Sequence, residues 1–302
     1  MARHTKPGIV RVGISGWRYG GWRGVFYPEG LRQASELHFA SRAVSTIEIN
    51  GTHYRLQSPK SFGAWYDETP PSFVFSVKGS RYLTHILRFR DEAAQAAMAN
   101  FFAQGVFLLR EKLGPILWQF PPTFKFEAGR FEAILAMLPK DGSSALELAE
   151  RHDRHVKQPY VAIDRNRPMR HAIEIRHDSF RDATFIKLLR KYHCGLVVSD
   201  ATANWPCVQD LTSDFVYLRL HGTQTKYAGE YTDASLDRWA ARIRQWAAGN
   251  QPADARLIAP DLAPRRRSRR DVFCYFDNDT KSQAPFDARR LAQRLDGGGK
   301  QR

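Results

Sequence analysis

His171-Ala172-Ile173-Glu174-Ile175-Arg176-His177 reads as one short β-strand, apolar at every second or third position and charged near its end. Residues 182–193 follow it with Phe185, Ile186, Leu188 and Leu189 at helical spacing, and residues 195–200 form a second β-run. The same alternation extends outward on both sides. Further strands are expected at 10–16, 45–50, 73–79 and 114–120 before this unit, and at 215–222 and 271–278 after it. Helices are expected at 31–42, 58–68, 91–112, 128–138, 233–248 and 285–295, with an extra one inside 145–156 ahead of the fifth strand. Eight β-runs with helices between them in a chain of 302 residues predict a single α/β (β/α)8 TIM-like barrel over residues 8–297. An open doubly wound sheet is the rival, but no βα turn carries the glycine-rich dinucleotide fingerprint.

Three stretches stand apart from this pattern. Residues 201–213, with Asn204, Trp205 and Pro206, read as loop. Residues 249–270 carry Pro252, Pro260, Pro264 and the run Arg265-Arg266-Arg267-Ser268-Arg269-Arg270, and read as a flexible surface insertion. Residues 1–7 and 298–302 are expected to be disordered tails.

Composition narrows the class. Hydrophobic residues make up 43% and charged residues 25%, as in an ordinary globular protein. No apolar run reaches spanning length, and no apolar signal core follows the basic N-terminus, so a cytoplasmic protein without membrane contact is expected. Cys194, Cys207 and Cys274 are odd in number and lack CxxC spacing, which argues against a disulfide framework and a zinc site. The net charge of +15, five of it in the arginine run, suits polyanionic partners or anionic substrates, with a solvated, arginine-rich surface as the plainer reading.

In a barrel the active site is built at the carboxyl ends of the strands. Side chains alternate along a strand, so Glu48 and Asn50 share a face, as do Ser76 and Lys78, Glu174 and Arg176, and Arg219 and His221. The intervening Ile47, Ile49, Val77, Ile175 and Leu220 are apolar and suit the helix side. Polar groups are therefore aimed into the barrel mouth, where they need partners or a ligand. Glu174 and Glu48 are the candidate acid–base pair, with His221 as the alternative base. Lys78, Arg176 and Arg219 are candidates to hold a carboxylate or phosphate. Asn50, Gln119, Asp200, Asn278 and His85 complete the polar set, and Trp17, Tyr19 and Tyr54 offer aromatic faces that suit a sugar or base. A structural ion-pair network of Glu48, Glu174, Arg176 and Arg219 is the plainer alternative. No cofactor is expected. A divalent ion on Glu174, Asp200 and His221 is the weaker option, because three cations nearby oppose it. His177, of opposite parity to Arg176, is expected outside the site.

Several of these stretches resemble the YecE-like family, the domain of unknown function 72. They are Gly13-Ile14-Ser15-Gly16-Trp17-Arg18-Tyr19 with Trp22 and Phe26-Tyr27-Pro28, then Glu48-Ile49-Asn50 with Tyr54, and Phe75-Ser76-Val77-Lys78 with Thr84-His85. Gln119-Phe120-Pro121-Pro122, Glu174-Ile175-Arg176-His177, Arg219-Leu220-His221-Gly222 and Tyr275-Phe276-Asp277-Asn278-Asp279 follow in the same order. The resemblance implies a TIM-like barrel and no settled activity. A relation to sugar isomerases is implied at the level of fold alone.

Three functions remain open on the residues. The first is an enzyme of isomerase or lyase type, working by proton transfer on a small anionic or sugar-like substrate. The second is a nucleic-acid-binding or nucleic-acid-processing protein that uses the basic surface. The third is a ligand sensor built on the same pocket. Oligomeric state is not legible in the sequence.

Overall fold

The computed structural model describes residues 6–200, 205–222, 230–278 and 282–297. Eight parallel strands close into a barrel in chain order. They are β1 Val10–Ser15, β2 Thr46–Ile49, β3 Val74–Lys78, β4 Leu113–Gln119, β5 His171–Glu174, β6 Gly195–Ser199, β7 Phe215–Leu220 and β8 Asp271–Phe276, and β8 pairs back onto β1. The (β/α)8 architecture expected from the alternation is the observed one.

Alternation along the strands divides the core in two. Ile14, Ile47, Ile49, Phe75, Val77, Trp118, Ile173, Val198, Leu218 and Phe276 face outward and pack in one large cluster with the helices. Leu117, Ala172, Val197, Phe215, Tyr217, Phe273 and Tyr275 fill the barrel interior. Interior space is tight: a Cβ on Gly13 would lie 1.8 Å from the Thr46 carbonyl oxygen. Above the apolar layer the interior turns polar. The Tyr217 hydroxyl meets Ser76 Oγ at 2.7 Å, and Tyr275 meets Thr46 Oγ1 at 2.9 Å. These hydroxyls satisfy one another, which is how polar groups tolerate burial.

The surrounding helices are α1 Glu36–Ala43, α2 Gly51–Tyr54, α3 Pro59–Glu68, α4 Asp91–Ala103, α5 Ala128–Ala136, α6 Gly142–Ala149, α7 Ala183–Lys191, α8 Asp233–Ala247 and α9 Ala284–Gly297. Local chemistry starts several of them. Ser58 caps α3 ahead of Pro59, Asp141 and Ser144 form a reciprocal capping box on α6, and Asp182 and Thr232 cap α7 and α8. The extra helix before β5 is α6.

Two expectations about connections are corrected. The expected helix 91–112 breaks after Ala103, because Gly105 adopts φ +117° with Pro59 and Phe62 packed against it, and a 3-10 segment, Val106–Lys112, continues. The insertion at 249–270 is a strap tied along its length rather than a loose loop. Asp210 accepts from the amides of Ile258 and Ala259, and Arg190 donates to the carbonyls of Leu262 and Ala263. Buried Arg270 closes it with bonds to the carbonyls of Ser213, Gly249 and Arg265. Residues 205–213 form no helix or strand, as expected, while 201–204 lie outside the described residues. So do 1–5 and 298–302 of the expected tails. Among the described residues no helix is long and apolar enough to cross a membrane.

Candidate functional site

Register sets the depth of each polar side chain. Ser15, Glu48 and Ser76 are register partners across β1, β2 and β3 and form one level, while Glu174, the register partner of Gln119 on β4, meets that level through Arg219. Into this level β7 sends Arg219, which is 1% exposed. Its guanidinium donates to Glu48 at 3.0 and 3.1 Å, to Glu174 at 2.8 Å, to Asp277 at 2.8 Å and to Ser15 at 3.2 Å. Glu48 also accepts from Ser15 Oγ and the Tyr217 hydroxyl, both at 2.6 Å. Glu174 accepts from Arg176 at 2.8 Å. Asp277 lies 3.1 Å from His221 Nδ1. Burial pushes the carboxyls of Glu174 and Asp277 upward, but the opposing cations win and hold both well below the ordinary carboxylate range. Three carboxylates around one arginine raise its affinity for the proton in return, against its own desolvation.

This hub corrects two expectations. Glu48 and Glu174 lie beneath the cavity with every oxygen engaged, so neither is placed as an acid–base pair open to a ligand. Arg219 is spent on the protein's own carboxylates and has no fork left for a substrate. The ion-pair reading holds for these three residues, with Asp277 added. His221 is also buried at this depth, edge-on to Trp205 at 5.8 Å.

Above the hub opens a cavity of about 790 Å³, within the usual range for small-molecule sites. Eight of the expected residues line it: Trp17, Tyr19, Asn50, Tyr54, Lys78, His85, Gln119 and Arg176. Asn50 donates to Ser15 Oγ at 3.0 Å and keeps a buried Oδ1 without a partner among the described residues. Arg176 stacks on the Trp205 ring at 3.7 Å while its fork holds Glu174. Trp17 packs edge-on against Trp65, and Tyr19 donates to the Ser15 carbonyl, so both shape the wall as well as presenting a face. Tyr54 is 68% exposed at the rim.

Two expected residues turn away. Asp200 accepts from the His221 amide at 2.7 Å and from the Tyr231 hydroxyl, and so braces the backbone after β7. Asn278 donates to Asp287 of α9 at 2.9 Å. Each falls one residue past the strand parity that points inward. Without Asp200, the proposed metal triad of Glu174, Asp200 and His221 is not assembled, and the described residues hold no group of three His, Cys, Asp or Glu fit for a metal. His177 caps a short turn through Ser179, outside the site. Asp279 of the quoted motif lies outside the described residues.

The cavity wall also holds Arg18, His53, Arg55, Arg81 and Asp277. Asp277 shares the inward parity of Phe273 and Tyr275, while the other four sit in βα connections, three to six residues beyond a strand, where period-two alternation no longer applies. His53 is buried on α2, and its Nδ1 donates to the Gly79 carbonyl at 2.7 Å, which leaves Nε2 as a lone pair. Burial first, and Lys78 next, lower its pKa to about 3. His85 sits 5.4 Å away, ring to ring, on a π-helical turn, Tyr82–Leu87, with Nδ1 bonded to Thr84 at 2.8 Å. Burial and the neighbouring cations lower it to about 4. Both rings are neutral near pH 7.

A model of the family described as "Protein of unknown function DUF72" matches residues 11–302. The chain belongs to the DUF72 family. A DUF72 structure from Thermotoga maritima MSB8 superposes with a TM-score of 0.66 at 25% identity, covering 95% of this chain and 99% of that one. Another, from Enterococcus faecalis V583, gives a TM-score of 0.68 at 14% identity over 95% and 96% of the two chains, which shows the shared barrel alone. The curated UPF0759 protein YunF of Bacillus subtilis (strain 168) is 27% identical over 119 residues. That match spans 38% of this chain and 41% of YunF.

Proposed function

We propose that this DUF72 barrel is an enzyme that binds a small anionic, sugar-sized substrate and moves a proton at it. The observation that carries the reading is the charge of the cavity wall. Among the described residues, Arg18, Arg55, Lys78, Arg81 and Arg176 face one acid, Asp277, which is already bonded to Arg219. Guanidinium groups suit carboxylate or phosphate, and the aromatic faces of Trp17 and Tyr54 suit the apolar side of a sugar ring. The acid–base role passes from the two glutamates to His53 and His85, the neutral rings on the same wall. Titration calorimetry with hexose phosphates and aldonic acids at low salt tests the binding, and deuterium exchange into the bound compound tests the chemistry. Arg176→Ala is expected to weaken binding about tenfold or more, and His53→Gln to slow exchange by roughly a hundredfold. Absence of binding to every such anion, or exchange unaltered in His53→Gln, contradicts the reading.

A polyanion-binding role has one specific observation behind it. Arg265, Arg266, Arg267 and Arg269 are exposed on the strap that leads into the start of β8, at the barrel end opposite the cavity. Binding of DNA or RNA there predicts an affinity that falls steeply with salt and is lost when these four are replaced.

A further inference from the structure

We propose that Lys78 is an amine nucleophile, whose Nζ forms an imine with the carbonyl carbon of a small anionic aldehyde or ketone held in the cavity. This names a substrate class for the site described above and rests on the anion-binding reading of it. Lys78 ends β3, is 7% exposed and lines the cavity. Its Nζ has no hydrogen bond or ion pair among the described residues, although the charges of Glu48, Glu174 and Asp277 all act on it. Those carboxylates are engaged by Arg219, Arg176, Ser15 and Tyr217.

The other buried lysine shows what this protein does with a structural ammonium. Lys112 is 4% exposed, and its Nζ donates to the carbonyls of Tyr66 and Thr69 and to Thr69 Oγ1, at 2.6, 2.8 and 3.1 Å. Three donors meet three acceptors. Lys78 is nearly as buried, at 7%, and has none of those partners; its Nζ is left to the cavity. An ammonium with so little access to water is poorly solvated, which favours the neutral amine. Burial first, then the Arg219 charge, lower the Lys78 pKa to about 8, so a useful fraction is unprotonated near neutral pH. Desolvation beside a second cation is a known route to a nucleophilic lysine.

The step balances without a redox partner. The amine lone pair forms the C–N bond, and the carbonyl π pair passes to oxygen. That oxygen takes one proton from nitrogen and one from solvent, then leaves as water as the C=N bond closes. The product is a protonated imine, an electron sink next to any carbon whose proton His53 or His85 takes.

The test uses the whole chain with glyoxylate and sodium cyanoborohydride at pH 8, with and without inorganic phosphate. Hydride converts an imine to a stable secondary amine, and peptide mass mapping reads which lysine carries the carboxymethyl group. Lys78 is expected to be labelled about tenfold or more faster than exposed Lys60 and Lys140, with phosphate slowing it. Labelling of Lys78 no faster than of those two overturns the proposal. Fast labelling that phosphate leaves unaltered supports the amine and contradicts the anion-binding reading. Phosphate binding seen by calorimetry, with Lys78 unlabelled, overturns the amine and leaves that reading standing.

Discussion

Arg219 is the residue around which the others are arranged. It carries one charge against three carboxylates, and Arg176 answers part of the remaining negative charge from the side. Removal of this guanidinium strands Glu48, Glu174 and Asp277 in a nearly dry layer. Arg219→Met is therefore expected to cost about 3–5 kcal/mol of stability, the usual penalty for breaking a buried charge pair from one side. Urea unfolding reads this directly, and a loss under 1 kcal/mol would show that the layer is hydrated and the hub weak. Replacement of Glu174 has the same character. A loss of ligand binding in such a variant reports on the fold before it reports on chemistry. Arg176, Lys78 and His53 stand on the cavity wall and are the residues whose replacement addresses the ligand.

At the scale of elements, the strap between α8 and β8 is the part most misread from composition. Prolines and arginines at 249–270 look like a loose insertion, yet Asp210 alone satisfies two of its amides, Arg190 and Arg242 donate into it, and its Gln251 donates to the Gln209 carbonyl. No sequence pattern signals this, because the partners lie in the loop before β7 and on α7 and α8. Asp210→Ala removes both amide acceptors and is expected to loosen the strap, so that trypsin cuts faster after the already exposed Arg256, Arg265, Arg266, Arg267 and Arg269, while the barrel loses only about 1–3 kcal/mol. Cleavage no faster than in the unaltered protein means that the other bonds hold the strap alone. The break at Gly105 has a similar origin: residues 91–112 are apolar enough for one helix, and only the close approach of α3 makes the left-handed glycine a stop.

For the whole molecule, the eight strands, their closure and their polar parity were legible, since a period of two and the order of strands and helices are local properties of the chain. Glu48, Lys78, Glu174, Arg176 and Arg219 do converge on the barrel mouth. Depth along the barrel axis was not legible. Parity says that Glu48 and Lys78 both point inward. Only the stagger of neighbouring strands places one in a sealed layer and the other on an open wall. Asp200 and Asn278 lie off the inward parity of Val197 and Tyr275, which alternation carried one residue further would show, whereas His53, on a one-turn helix, lies where alternation has no meaning. Charge then follows from geometry: Glu48 and Glu174 sink beneath the floor and pair, Asp277 at its edge is held by Arg219, and the cations nearest solvent are left to face whatever enters. A crystal structure grown from phosphate-containing solution tests this separation most directly. The Arg219 guanidinium is expected within about 3 Å of Glu48, Glu174 and Asp277 together, with phosphate bound on the wall beside Arg176 and Lys78. Glu48 or Glu174 swung away from Arg219 into the cavity, or phosphate found only on the outer arginines, would contradict this separation.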